Sequence, residues 1–182
     1  MTTAMTQPAI ETDVAPRLSV SEYAVLGVLA DQPSHGFAIS KILGSEGDLG
    51  RVFTVRRSLV YRAIDRLVEL GYVEPVATEP GTAGPKRLIQ RITSAGTRRL
   101  DEWLAEPVEH LRDLRIEFLL KLAFLQRDGR PLIDTIRQQR AALDPTIAAL
   151  VEADTDDNVE LWRKHNAEAA SAYLADLESR YG

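Results

Sequence analysis

The 182-residue sequence predicts a mainly α fold with a small β-hairpin: an N-terminal domain of helices and one hairpin, followed by a C-terminal α-helical domain. Three observations carry this reading. Apolar residues recur at helical spacing through most of the chain, strand-like segments are confined to residues 72–92, and beyond Pro107 no strand signal remains. Cysteine is absent, which excludes disulfides, thiolate chemistry and cysteine-based zinc sites.

Residues 1–17, rich in Thr, Ala, Pro and Gln, read as a disordered N-terminal tail, without the basic start and apolar core of a secretory signal. Ser19 followed by Glu22 is a capping box, and Val25, Leu26, Val28 and Leu29 give the first helix its apolar face. Asp31 to Ser34 stops that helix. Ser34 is expected to cap a second one that buries Phe37, Ile39, Ile42 and Leu43. A loop with glycines at 44, 47 and 50 leads to a third helix, starting at Thr54 or Val55 and stopped by Gly71. Its apolar face is Leu59, Val60, Ala63, Ile64, Leu67 and Val68, and its other positions hold Arg56, Arg57, Ser58, Tyr61, Arg62, Asp65 and Arg66. Tyr72 to Ala77 reads as a strand, Thr78 to Pro85 as a turn-rich tip, and Lys86 to Ile92 as the returning strand. Thr93 caps a helix over Ser94 to Glu106 that carries Leu100, Trp103 and Leu104. Over residues 18–106 this order is the outline of a winged helix-turn-helix.

Residues 107–182 read as a separate helical domain. Helices are expected over Leu111 to Gln126, over Leu132 to Ala153 with a kink or break at Pro145, and over Val159 to Tyr181. Leu111, Phe118, Leu122, Ile136, Leu143, Ile147, Leu150, Trp162, Tyr173 and Leu177 form apolar stripes that need a partner. Coiled-coil-like pairing with a second copy is the natural one.

Charge is unevenly placed. Net charge is −5, but between Arg51 and Arg99 ten basic residues face four acidic ones, a net +6 that leaves −11 for the rest. A basic block in an acidic chain suggests one surface that meets a polyanion. Arg56, Arg57, Ser58, Tyr61 and Arg62 lie at the start of the third helix, where such helices reach into a major groove about 12 Å wide. Lys86 and Arg87 follow the hairpin tip, where they suit flanking phosphates or a minor groove. The competing reading of these groups is an ordinary solvated face, or charge that protects an exposed strand edge.

The residues resemble the PadR family of bacterial transcriptional regulators. Leu26-Gly-Val-Leu-Ala30 with Ser34-His-Gly-Phe37 is similar to its first-to-second helix junction. Ser58 to Gly71 is similar to its recognition helix, with Ser58, Tyr61, Leu67 and Gly71 in register. Gly84-Pro-Lys-Arg87 and Arg91 to Gly96 resemble its wing and the step after it. Leu111 to Lys121 resembles the start of the C-terminal domain in the longer subgroup shared with virulence activators. Phe37 stands where the family has Tyr, and Arg57 where it often has Gly. The resemblance implies a homodimer, usually a repressor, that binds double-stranded DNA at an inverted-repeat operator and is released by a small-molecule effector or another signal. It also implies that aromatics can line an effector pocket, for which Trp103, Phe118 and Trp162 are the candidates beside their alternative role as core.

His35, His110 and His165 show no metal-like spacing, no catalytic Ser/His/Asp set is evident, and no phosphate loop follows a strand. The expectation is a protein that is not an enzyme, with no cofactor, metal or membrane segment, located in the cytoplasm. Two other readings stay open: a winged-helix adaptor that docks proteins without DNA, and a small-molecule carrier with a vestigial head.

Overall fold

The computed structural model describes residues 16–80 and 86–182. Most of the expected tail, and the hairpin tip from residue 81 to residue 85, lie outside the described residues. The element order is α1 (Val20–Asp31), β1 (Ser34–His35), α2 (Gly36–Ile42), α3 (Arg57–Glu69), β2 (Val73–Glu79), β3 (Arg87–Ile92), α4 (Ser94–Ala105), a 3-10 helix (Leu111–Arg115), α5 (Glu117–Arg127), α6 (Ile133–Glu152) and α7 (Asn158–Tyr181). The fold is mainly α with a small antiparallel sheet in strand order β1-β3-β2. Among the described residues no helix is long and apolar enough to cross a membrane.

α1 is the centre of the head. The Ser19 hydroxyl accepts from the Glu22 N–H at 3.3 Å, and the Glu22 carboxylate accepts from the Ser19 N–H at 2.6 Å. This closes the capping box expected there. Every residue from Glu22 to Leu29 is buried, because α3, α4, β3 and α5 pack around the helix on different sides. Gly27 makes the α5 contact possible. A Cβ there would lie 2.3 Å from the Phe124 ring of α5.

Ser34 does not cap α2. It pairs with Gln90 of β3, and His35 pairs with Ile89, so the hairpin gains a third strand. The cap is His35, whose Nδ1 accepts the Ala38 N–H at 2.9 Å. A two-residue strand is too short to leave any alternation in the sequence. α3 starts at Arg57, later than expected, because Val55 is tied down first. Its side chain is buried and its N–H donates to the Leu43 carbonyl at 2.8 Å. Val60, Ala63, Ile64 and Leu67 form the buried stripe of α3, while Leu59 and Val68 are exposed at 41% and 38%. β2 runs on to Glu79, and its register with β3 shifts between Pro75 and Ala77. A bulge there suits a proline, which has no N–H for the ladder.

In the C-terminal part, Leu111 to Arg115 forms a 3-10 helix and α5 begins at Glu117, so the single expected helix is two. α6 continues through Pro145 without interruption. The carbonyl that Pro145 deprives of its helical bond belongs to Ala141, and both residues are exposed, so water can satisfy it. α6 and α7 pack antiparallel: Arg137 and Arg140 near the start of α6 bond Glu178 near the end of α7. Between them Ile136, Leu143, Ile147, Ala167, Leu174 and Leu177 are buried.

This packing corrects the expected dimer seam. Phe118, Leu122, Ile136, Leu143, Ile147 and Leu177 are buried within the chain itself, and Leu111, Leu150 and Tyr173 are partly buried. Trp162 is the exception, 69% exposed. The stripe shows which face is buried, and a neighbouring helix of the same chain covers most of it.

The helical part is not detached from the head. Residues from Leu18 to Leu177 belong to one apolar cluster. Gln139 of α6, fully buried, donates to the Val108 carbonyl at 2.9 Å and accepts the Val108 N–H at 2.8 Å, so it fastens the segment after α4. Arg127 at the end of α5 pairs with Asp31 and Asp48 of the head.

Bonds from Arg140 and then Arg137 hold the Glu178 carboxyl below the ordinary glutamate range. A carboxylate with a lowered folded-state pKa stabilises the fold above its unfolded pKa of about 4.3, and that contribution is lost as pH falls through the lowered value. Glu178→Gln should therefore lower the melting temperature at neutral pH and converge on the wild type as pH falls, which flattens the acid limb of the melting temperature against pH. An acid limb identical to wild type would show that this carboxylate does not anchor α7 to α6.

Candidate nucleic-acid interface

α3 lies on the surface with Arg56, Arg57, Ser58, Tyr61 and Arg62 all exposed. The stripe of Val60, Ala63, Ile64 and Leu67 holds the helix down and forces these positions outward. Its N-cap, Arg56, makes no side-chain capping bond. The first turn therefore presents N–H groups and the positive end of the helix dipole to any approaching anion.

Some basic residues of the head are neutralised by ion pairs and others are not. Arg66 pairs with Glu22 at 3.5 Å, Arg91 with Glu74 at 2.6 Å, and Arg99 with Glu102 at 3.3 Å. Among the described residues Lys41, Arg56, Arg57, Arg62, Lys86 and Arg87 have no such partner. These six come from α2, α3 and the start of β3. Arg17, Arg51, Arg98, Arg115 and Arg180 also lack one, but Lys41, Arg57 and Arg87 of the six gather on one ring, and unpaired cations brought together keep a field available to a polyanion.

Four of the expected residues meet in one place. Arg57, Tyr61, Lys86 and Arg87 line a cleft of about 490 Å³ together with Gly36 and Phe37. Tyr61 enters it because Gly36 has no side chain: a Cβ on Gly36 would lie 2.8 Å from the Tyr61 ring. Phe37 is the hub. Lys41 Nζ is 5.1 Å from its ring centroid, the Arg57 guanidinium 5.1 Å and the Arg87 guanidinium 5.2 Å. Arg57 also lies 5.7 Å from the Tyr61 ring. Arg56, Ser58 and Arg62 share the exposed side of α3 but do not line the cleft. His35, whose Nε2 is 3.3 Å from Arg87 Nη1, was not among the expected site residues, nor was Phe37. The two positions at which the sequence departs from the family pattern, Phe37 and Arg57, are in contact. That proximity joins residues 20 apart and leaves no local pattern.

The expected effector residues do not converge. Phe118 is fully buried in the core, and Trp162 is exposed on α7. Only Trp103 of the three borders a second cleft, of about 770 Å³, beside Tyr23, Arg99, Arg112, Glu117 and Lys121. Phe118 points into the core because it falls on the buried stripe of α5, and Trp162 sits on the outer side of α7. Trp103 stacks on Tyr23 with centroids 4.5 Å apart, and its indole N–H donates to Glu117 at 2.8 Å. Burial pushes the Tyr23 hydroxyl up to about 12, against the opposing pull of Arg99. Lys121 is almost fully buried, its Nζ 4.9 Å from the Trp103 ring centroid and 3.3 Å from the Glu117 carboxylate. Burial lowers its pKa although Glu117 opposes the shift. Arg99 Nε is buried with no hydrogen-bond partner.

The negative transcriptional regulator PadR of Bacillus subtilis (strain 168) is 27% identical over 108 residues, 59% of this chain. The match spans 58% of that curated relative's length. A crystal structure of Bacillus subtilis PadR in complex with operator DNA aligns with 90% of this chain and 100% of that one, at 17% identity and a TM-score of 0.48. The same protein in complex with p-coumaric acid aligns with 90% of this chain and 99% of that one, at 16% identity and a TM-score of 0.44. Residues 25–102, which run from within α1 through the hairpin into α4, match the transcriptional regulator PadR-like family.

Proposed function

We propose that this chain is a sequence-specific DNA-binding transcriptional regulator that works as a homodimer, represses from an inverted-repeat operator, and is released by a small molecule. The observation that carries the DNA-binding part is the set of cations without carboxylate partners on α2, α3 and β3. In this reading Ser58, Tyr61 and Arg62 reach base edges from α3. Arg56 and Arg57 meet phosphate or a guanine edge, and Lys86 and Arg87 hold the flanking backbone. The family domain and the printed role of the Bacillus subtilis relative as a negative regulator support repression.

The dimer draws support from the apolar groups that the chain leaves uncovered, Val159, Leu161 and Trp162 on α7. Two heads joined through the helical part would set their α3 helices into successive major grooves, about 34 Å apart. The Tyr23–Trp103 cleft suits an effector better than the set first expected. It offers a stacked aromatic wall and, in Arg99 and Arg112, cationic donors for an acidic ligand. It also touches both α1 of the head and the segment leading to α5, so a ligand there can bias the angle between them.

Selection of bound sites from random duplex DNA by the full chain tests the reading. The expected result is an enriched inverted repeat with half-site centres about one helical turn apart. Enrichment of no sequence, together with no retention on heparin at low salt, would overturn it.

A further inference from the structure

The structure assigns a phosphate-binding seat to His35, Arg87, Arg57 and Lys41, gathered around the ring of Phe37. Proton accounting at His35 is the starting point. Its Nδ1 accepts the Ala38 N–H at 2.9 Å, so Nδ1 carries no proton, and the neutral ring must hold its proton on Nε2. That Nε2–H faces Arg87 Nη1 at 3.3 Å, and a guanidinium can only donate. Two donors therefore meet with no acceptor between them. Protonating the ring does not resolve this, because it turns Nδ1 into a donor and breaks the bond from Ala38.

What both groups lack is an oxygen. Around them stand two more cations. Lys41, Arg57 and Arg87 lie 5.1, 5.1 and 5.2 Å from the Phe37 centroid. Like charges gathered around one ring repel, and the ring quadrupole offsets part of that repulsion. Phe37, Arg57 and Arg87 line the cleft, His35 and Lys41 adjoin it beside the Phe37 ring, Asp65 is the one acidic residue in the cleft lining, and no carboxylate among the described residues comes within 4.0 Å of these three cations. An anion with several oxygens can accept from the imidazole N–H, the guanidinium groups and the ammonium at once, and a phosphate group has that shape. The phosphate can come from a DNA backbone or from a free phosphate ester. With DNA as the source, the seat deepens the function proposed above and rests on it. Phe37 is then a positioning residue: it touches no phosphate, but gathers the cations that do.

The test uses the full chain and a duplex selected from random DNA by the wild type. His35→Asn keeps a capping acceptor for Ala38 and removes the distal N–H. We expect unchanged thermal unfolding and about tenfold weaker duplex binding, the loss of one hydrogen bond to a charged group. Replacing single phosphates by neutral methylphosphonates should reveal one position per half-site that costs the wild type about as much and costs His35→Asn little further. Phe37→Leu, which keeps apolar packing without the quadrupole, should weaken binding several-fold through the same phosphate position. Equal binding by wild type and His35→Asn, with no coupled phosphate, overturns the seat and leaves the DNA-binding reading intact. If the wild type retains no duplex, that reading falls. The seat then stands only if inorganic phosphate moves the His35 imidazole ¹⁵N resonances in the wild type, and no movement overturns it. A wild-type ring carrying its proton on Nδ1 overturns it in either case.

Discussion

Replacing Arg62 and Lys86 together by alanine is expected to weaken binding to the selected duplex by about a hundredfold or more at moderate salt. Each lost base or phosphate contact is worth about 1–3 kcal/mol, and every 1.4 kcal/mol is a factor of about ten. The plot of log affinity against log salt should also flatten by up to about two units, because fewer counterions are released on binding. Both side chains are exposed and unpaired, so the fold should not notice their removal. Arg66→Ala provides the contrast. That guanidinium already neutralises Glu22 at 3.5 Å, and its loss should change DNA affinity little. Fluorescence anisotropy across a salt series checks all three proteins. A double variant with the wild-type slope would place the DNA on another face.

Gly27→Ala is expected to be among the most damaging single-methyl changes in the chain. The added Cβ would sit 2.3 Å from the Phe124 ring, and both residues are buried, so the helices must part or the ring must leave its place. Overpacking of this kind costs about 1–3 kcal/mol. Phe124→Ala alone should cost about 3–5 kcal/mol by leaving a cavity. The double variant distinguishes a specific contact from general fragility. With the ring gone, the alanine at position 27 meets no obstacle, so the combined loss should fall short of the sum of the two. Chemical denaturation of the four proteins measures it, and strict additivity would refute the contact. The stakes reach beyond stability. The Gly27–Phe124 crossing joins the helix at the centre of the head to the first long helix of the C-terminal part. A change there should also loosen the coupling between the Tyr23–Trp103 cleft and α3.

The capping residues show which kinds of inference a sequence supports. Ser19 with Glu22 and Thr93 with Gly96 are bonds between residues three apart, and they form as the spacing demands. The hairpin is equally local, since its strands follow one another in the chain. Ser34 was misread because its partner, Gln90, is far away in sequence, and two residues of strand carry no periodicity. Pro145 was expected to break α6, as its missing N–H alone would suggest. Its exposed position decides otherwise.

Among the site residues, Arg56, Arg57, Ser58, Tyr61 and Arg62 were legible because they occupy the positions of α3 that its apolar stripe leaves over. Their exposure follows from that stripe. His35 and Phe37 were not. Their significance comes from Arg57 and Arg87, which reach them from two other elements.

By itself, then, the sequence determined the order of the α-helices and the hairpin, though not β1 or the separate 3-10 helix, together with local caps at Ser19 and Thr93, the excess of positive charge between Arg51 and Arg99, and most of the faces that must be buried. Those properties depend on neighbours within a few positions along the chain. The tertiary structure decided what each buried face meets: α6 against α7 in one chain, and Phe124 against Gly27 across the joint. It also decided which arginines find a carboxylate and which remain bare. Such contacts are long-range and pairwise, and a periodic stripe or a count of charges contains no record of the partner.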